Sequence, residues 1–224
     1  MVEVNSRVNE ALSYQSKYCY PESNVLINKF DIQDQKTLDK IERNVTTLML
    51  VKLQTKPLPC SKELFSVNYF IDLHRQVFEH IYPFAGKIRN ENMTKGNTPF
   101  CRPEFIYKYL NMLFDKIFDD LKKIKTKEDI VVFLSYYYSE LNVVHPFREG
   151  NGRIMREYLR QVVVFINKNL GFDYELDFSN VTEEDKNNLM NGSIMSAMNG
   201  NLELLNRFFN NMLKEKEVIK EHQK

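Results

Sequence analysis

The chain has 224 residues, 43% hydrophobic and 27% charged; that is enough for one compact domain with a real core and excludes wholesale disorder. Lys and Arg total 31 against 30 Asp and Glu, a net charge of +1, so no global field grips a nucleic-acid backbone and no nucleic-acid partner is expected. No run approaches the roughly 20 apolar residues of a membrane span, the N-terminus lacks a secretory pattern, and three widely spaced cysteines, Cys19, Cys60 and Cys101, read as reduced thiols of a cytoplasmic protein.

With 7 Gly and 7 Pro, long stretches are free of helix breakers. Leu38, Ile41, Val45 and Leu48 recur at three- and four-residue steps and, with Leu53, predict an amphipathic helix over 37–53, broken by Pro57 and Pro59. A second helix is expected over 66–81, ending before Pro83 and Gly86. Residues 87–103 lack a helical period and mix Gly, Asn, Thr and Pro, the composition of an exposed loop or β-hairpin. Pro103 opens the next helix, to about Leu121. Thr126 with Asp129 reads as a capping box. The helix it opens is apolar around most of its circumference, so it belongs at the centre of the fold. Further helices are expected over 153–167, from Thr182, and along the apolar run 195–213. The sequence thus predicts a single all-α domain over 36–214 with one small hairpin. A leading segment, 1–35, packs on it, and the charged tail 215–224 frays.

Chemistry concentrates in His145-Pro-Phe-Arg-Glu-Gly-Asn-Gly-Arg-Ile-Met-Arg156, between two hydrophobic helices. Gly150 and Gly152 let the backbone bend and its N–H groups approach a ligand closely. Those N–H groups stand where the next helix begins, a ready site for phosphate. Arg153 and Arg156, three apart, are expected on one face of the first turn, both able to fork onto phosphate oxygens. Glu149 suits a Mg²⁺ that bridges phosphates. His145 is the group here able to take a hydroxyl proton near neutral pH. Singly, each is an ordinary loop or surface residue; together they are the parts of a phosphoryl- or nucleotidyl-transfer site. Phe147 is assigned to the core as an anchor for the loop. His74, His80 and His222 have no partner at metal-ligand spacing.

HPFREGNGRIMR closely resembles the signature of Fic-domain proteins, HxFx(D/E)GNGRxxR, with every defining position filled. YPESNVLINKFDI is similar to the leading segment of many bacterial members, and FEHIYPFAGKIRNENMTKGNTPF to the family's hairpin flap. The resemblance implies a compact Fic-type helical bundle over 36–214 and an AMPylation activity, in which AMP passes from ATP to a protein hydroxyl and pyrophosphate leaves. His145 would then be the general base, and Glu149 would hold Mg²⁺ between the α- and β-phosphates. Arg148, Gly150, Asn151 and Gly152 would belong to the nucleotide-binding loop, with Asn151 also steadying the α-phosphate. Arg153 and Arg156 would stabilise the β- and γ-phosphates. Lys95 and Gly96 would lie in the flap over the nucleotide, and residues of about 87–103 would pair strand to strand with an extended target segment.

Gly152 argues against phosphorylating members, which carry Lys there. Ser179 to Glu183 is followed by Glu184 rather than Gly or Asn, so the chain carries no sound inhibitory-helix motif, and a separate antitoxin-like protein is the expected restraint. A cytoplasmic bacterial toxin is expected ahead of an effector delivered into a host cell. The alternatives are a silent peptide-binding module and a Fic enzyme that uses another donor, UMP or phosphocholine, or that removes AMP.

Overall fold

The computed structural model describes residues 16–95 and 98–216. Eight helices and two small sheets appear among them. Helix α1 is Gln35–Gln54, α2 Ser61–Leu64 and α3 Val67–Phe78; strands β1 (Thr94–Lys95) and β2 (Thr98–Pro99) follow. Then come α4 (Pro103–Leu121), α5 (Lys127–Val144), α6 (Asn151–Leu170) and β3 (Tyr174–Leu176). Helices α7 (Glu183–Asn199) and α8 (Glu203–Met212) lead into β4 (Leu213–Glu215).

The helices start where the side chains can satisfy the first N–H groups. Asp34 accepts from Thr37 N–H at the head of α1, and Ser66 from Tyr69 N–H at the head of α3. The Thr126–Asp129 capping box is present in both directions. Thr182 and Asp185 form a second one at the head of α7. The run 195–213 is not one helix: Gly200, at φ +74°, ends α7 in the left-handed conformation, so Met195 and Met198 belong to α7.

Helix α5 is the centre, as its composition predicts. Ile130, Phe133, Leu134, Tyr137, Tyr138, Leu141 and Val144 are buried on different sides of it. Helix α6 runs beside it and buries Ile154, Met155, Tyr158, Leu159, Val162 and Ile166. Phe70, Phe114, Phe147 and Tyr158 join α3, α4 and α6 through neighbouring rings. Burial of such side chains, each stabilising by about 1.5–3 kcal/mol, fixes how the two central helices meet. That meeting puts the C-terminus of α5 and the N-terminus of α6 together across the loop 145–150.

The hairpin expected in 87–103 is present, with β1 and β2 antiparallel and Thr94 opposite Pro99. A second two-stranded sheet was not foreseen. β3 pairs antiparallel with β4, Tyr174 opposite Glu215, and Lys216 donates to the Asp173 carbonyl. The tail expected to fray from 215 therefore begins inside a strand; residues 217–224 lie outside the described residues. Leu176 and Leu213, both buried, explain the pairing, since each strand is anchored by an apolar side chain.

Of the leading segment, the described part from residue 16 packs on the core through Cys19, Val25 and Leu26. Glu91, buried at the root of the flap, accepts from Ser16 Oγ and Lys17 N–H. Cys19, Cys60 and Cys101 are free thiols. Among the described residues no helix is long and apolar enough to cross a membrane.

Candidate active site

His145 ends α5 as its C-cap, with φ +44° and ψ 62°. A non-glycine residue holds that left-handed backbone only where its surroundings over-determine it. Its N–H donates to the Leu141 carbonyl at 2.9 Å, and Phe100 at the end of the flap stacks on the imidazole at 3.8 Å, 10° from parallel. Burial pushes its pKa down to about 4, helped by the charges of Arg89 and Lys95 and opposed by the Asn142 carbonyl. The ring is therefore neutral at neutral pH, the form able to accept a proton.

The loop reaches α6 through Gly150, whose φ of +81° and whose approach to Phe78 admit only glycine. No side chain caps α6, so its first-turn N–H groups have no intrahelical acceptor and face the loop end as an anion cradle. Gly152 does not bend the chain, contrary to expectation: it lies inside the first turn. A Cβ there would come within 3.4 Å of Arg156 Nη1, so the missing side chain leaves the arginine room over the helix start.

Asn151 turns its side chain back onto the loop. Its Nδ2 donates to the Phe147 carbonyl at 2.7 Å and its Oδ1 accepts from the Phe147 N–H at 2.9 Å. The buried side chain braces the loop.

The two arginines, three apart on the first turn, take different partners. Arg153 turns to α1, where Nη2 meets Glu42 Oε1 at 2.5 Å and Nη1 donates to Thr46 Oγ1 at 3.3 Å. The same Nη2 reaches Glu149 Oε1 at 3.1 Å, and the guanidinium lies over the Phe78 ring. Three of the five guanidinium donors are thereby claimed, and two remain for a ligand. Arg156 lies against Phe178, its guanidinium carbon 5.9 Å from the ring centroid, and interacts with Tyr138. Arg153 also lines an open cleft of about 440 Å³ with Asp39, Glu42, Arg43 and Thr46. Arg148 does not join the cradle: its Nη2 reaches the Cys19 sulfur at 3.8 Å.

Glu149 is the carboxylate a metal would use. Its Oε1 accepts from Gly150 N–H at 2.7 Å, and its side chain is 38% exposed. Among the described residues no three His, Cys, Asp or Glu side chains converge for a cation. Lys95, exposed on β1, is close enough to influence His145 electrostatically. Gly96 lies outside the described residues.

Residues far from the loop in sequence complete the site. His74, fully buried in α3, is stacked on Phe147 at 3.9 Å. Its Nδ1 accepts from Gly86 N–H at 2.9 Å, which makes Nε2 the protonated nitrogen, donating to the Glu149 carbonyl at 3.0 Å. Burial lowers its pKa to about 4. Glu42 holds Arg153 with one oxygen and the Tyr82 hydroxyl with the other. A polar residue on the apolar stripe of α3 was the available signal for His74. Glu42, on a solvated-looking face of α1, gave none.

The sequence pattern of a family described as the Fic/DOC family matches residues 64–162. A relative from Sinorhizobium fredii, named "Probable protein adenylyltransferase y4lH", is 35% identical over 163 residues, 72% of this chain and 79% of that protein. An Escherichia coli relative, "Probable protein adenylyltransferase Fic", is 27% identical over 203 residues, 88% of this chain and 92% of that one. Among solved structures, the effector BepC of Bartonella tribocorum with bound AMPPNP shares the fold at a TM-score of 0.74 and 21% identity, over 89% of this chain and 97% of that one.

Proposed function

The chain belongs to the Fic/DOC family, and from that premise we propose that it is a protein adenylyltransferase moving AMP from ATP to a Ser, Thr or Tyr hydroxyl of a target protein. The observation that carries the reading is the pairing of a neutral, buried imidazole at the end of α5 with an uncapped helix N-terminus flanked by Arg153 and Arg156.

His145 accepts the hydroxyl proton as the oxygen attacks the α-phosphorus; the new P–O bond forms as the bond to pyrophosphate breaks. The first-turn N–H groups of α6 receive the anionic oxygens, and the free donors of Arg153 and those of Arg156 take charge that grows on the departing phosphates. Mg²⁺ fits the donor set, since that ion is commonly held by one or two carboxylates together with substrate phosphates. Glu149 would be its protein ligand, and the ion would supply charge neutralisation. The exposed Thr94 and Lys95 of β1 offer the target segment a short strand edge. A separate antitoxin-like protein remains our reading of how activity is restrained, and the bacterial cytoplasm that of where it acts.

The test is incubation of purified protein with α-labelled ATP and Mg²⁺ in a bacterial lysate, wild type beside His145→Ala. Label on a protein band that disappears in the variant is expected. Label that persists in the variant, or bands labelled only by UTP or CDP-choline, would overturn the reading.

A further inference from the structure

Arg89 is the one arginine among the described residues that is almost wholly buried, at 1% exposed. It has no carboxylate partner there, although an unpaired buried cation is costly. Its guanidinium is instead spent on main-chain oxygens. Nε donates to the His145 carbonyl at 2.7 Å, and Nη1 to that of Glu91 at 2.6 Å. Nη2 donates to the carbonyls of Cys101 and, at 3.2 Å, Val144. The Arg89 N–H donates to the Pro146 carbonyl at 2.9 Å.

These acceptors fall into two groups. Val144 and His145 are at the C-terminus of α5, where helical carbonyls lack partners and the helix dipole favours a cation. Glu91 and Cys101 are the two roots of the flap. A further bond runs the same way, from Cys101 N–H to the Val143 carbonyl at 3.0 Å. From the second root, Phe100 lays its ring on His145. Arg89 thus grips three consecutive carbonyls, 144 to 146, around the residue held at φ +44°, together with both ends of the hairpin that covers it.

We propose that Arg89 is a positioning residue that locks the roots of the flap to the end of α5 and so fixes the left-handed backbone and ring position of His145. The proposal rests on the reading of His145 as the general base. A displacement of about 1 Å in a reacting group can cost on the order of 10²-fold in rate, and this is the geometry Arg89 holds. The charges facing His145 are Arg89 itself and Lys95 of the flap.

Arg89→Lys and Arg89→Gln test this in the full chain, with three readouts. The first is NMR titration of His145 without nucleotide or target, assigned against His145→Ala. The second is amide hydrogen exchange, and the third is labelled AMP transfer. In Arg89→Lys the charge stays, so His145 should still titrate low. The Cys101 and Phe100 amides should exchange faster than the rest of the core, and kcat should fall about 10²-fold with little change in KM for ATP. In Arg89→Gln the His145 pKa should rise as well. If Arg89→Gln does not fold, Arg89→Lys decides alone. Wild-type kcat, unchanged exchange at Cys101, or an increase spread evenly over the core in Arg89→Lys would overturn the proposal. A wild-type chain that transfers no AMP would overturn the adenylyltransferase reading instead, while exchange and titration would still judge Arg89.

Discussion

Gly150 stands at φ +81°, where a Cβ would sit 2.1 Å from Cζ of Phe78. Gly150→Ala meets two penalties: left-handed backbone at roughly 1–2 kcal/mol, and overpacking against a core ring at about 1–3 kcal/mol. The variant should lose stability by their sum in denaturant titration; a loss of only about 1–2 kcal/mol would mean that the ring gives way freely. His145 makes the complementary case, a residue whose replacement concerns chemistry. His145→Ala should lower AMP transfer by about 10²–10⁴-fold, with ATP affinity by calorimetry nearly unchanged. The acid limb of kcat against pH should fall below the ordinary histidine range, because burial and the nearby cations hold the ring neutral down to about pH 4. An acid limb at 6.5 or above would contradict that environment.

At the scale of elements, α5 carries its two jobs at opposite ends. Its N-terminus is closed by Thr126 and Asp129, and its C-terminus presents His145. Eighteen residues at about 1.5 Å each separate the ends by roughly 27 Å. Thr126→Ala should therefore cost about 1 kcal/mol of stability and leave kcat untouched, read as a lower Tm beside an unchanged rate. A drop in kcat would show that fraying travels the length of the helix. Caps, periods and breakers made the helices legible in sequence because they act within one or two turns. The sheet of β3 and β4 was not legible: its strands are three residues each, far apart in the chain, and no local pattern joins Tyr174 to Glu215.

For the whole molecule, His74 ties the site to stability. It is buried neutral between Gly86 and the Glu149 carbonyl, with a folded pKa of about 4 against 6.5 for a free imidazole. Below pH 6.5 the unfolded chain binds a proton the folded chain refuses, so stability is full above that pH and falls as pH drops toward 4. By pH 4 the loss from His74 is roughly 3 kcal/mol. Denaturant midpoints of wild type and His74→Gln across this window should show a flatter curve for the variant. Parallel curves would mean that His74 is protonated in the fold. His145 contributes with the same sign, so the variant's curve should keep some slope.

The sequence by itself determined the helical class, the central place of α5, the hairpin and the twelve-residue stretch that forms the candidate site. Those features are written in periodicity, capping and a contiguous loop, which act over short stretches of chain. Only the tertiary structure decided how that loop is held. Asn151 turned inward to brace Phe147, Arg148 went to Cys19, and Arg153 and Arg156 took different partners, Glu42 and Phe178. Glu42, His74 and Arg89 arrived from other elements, separated from the residues they hold by 111, 75 and 56 positions respectively. A buried polar group takes whichever partner packing brings within hydrogen-bond reach, and packing is a property of the assembled core.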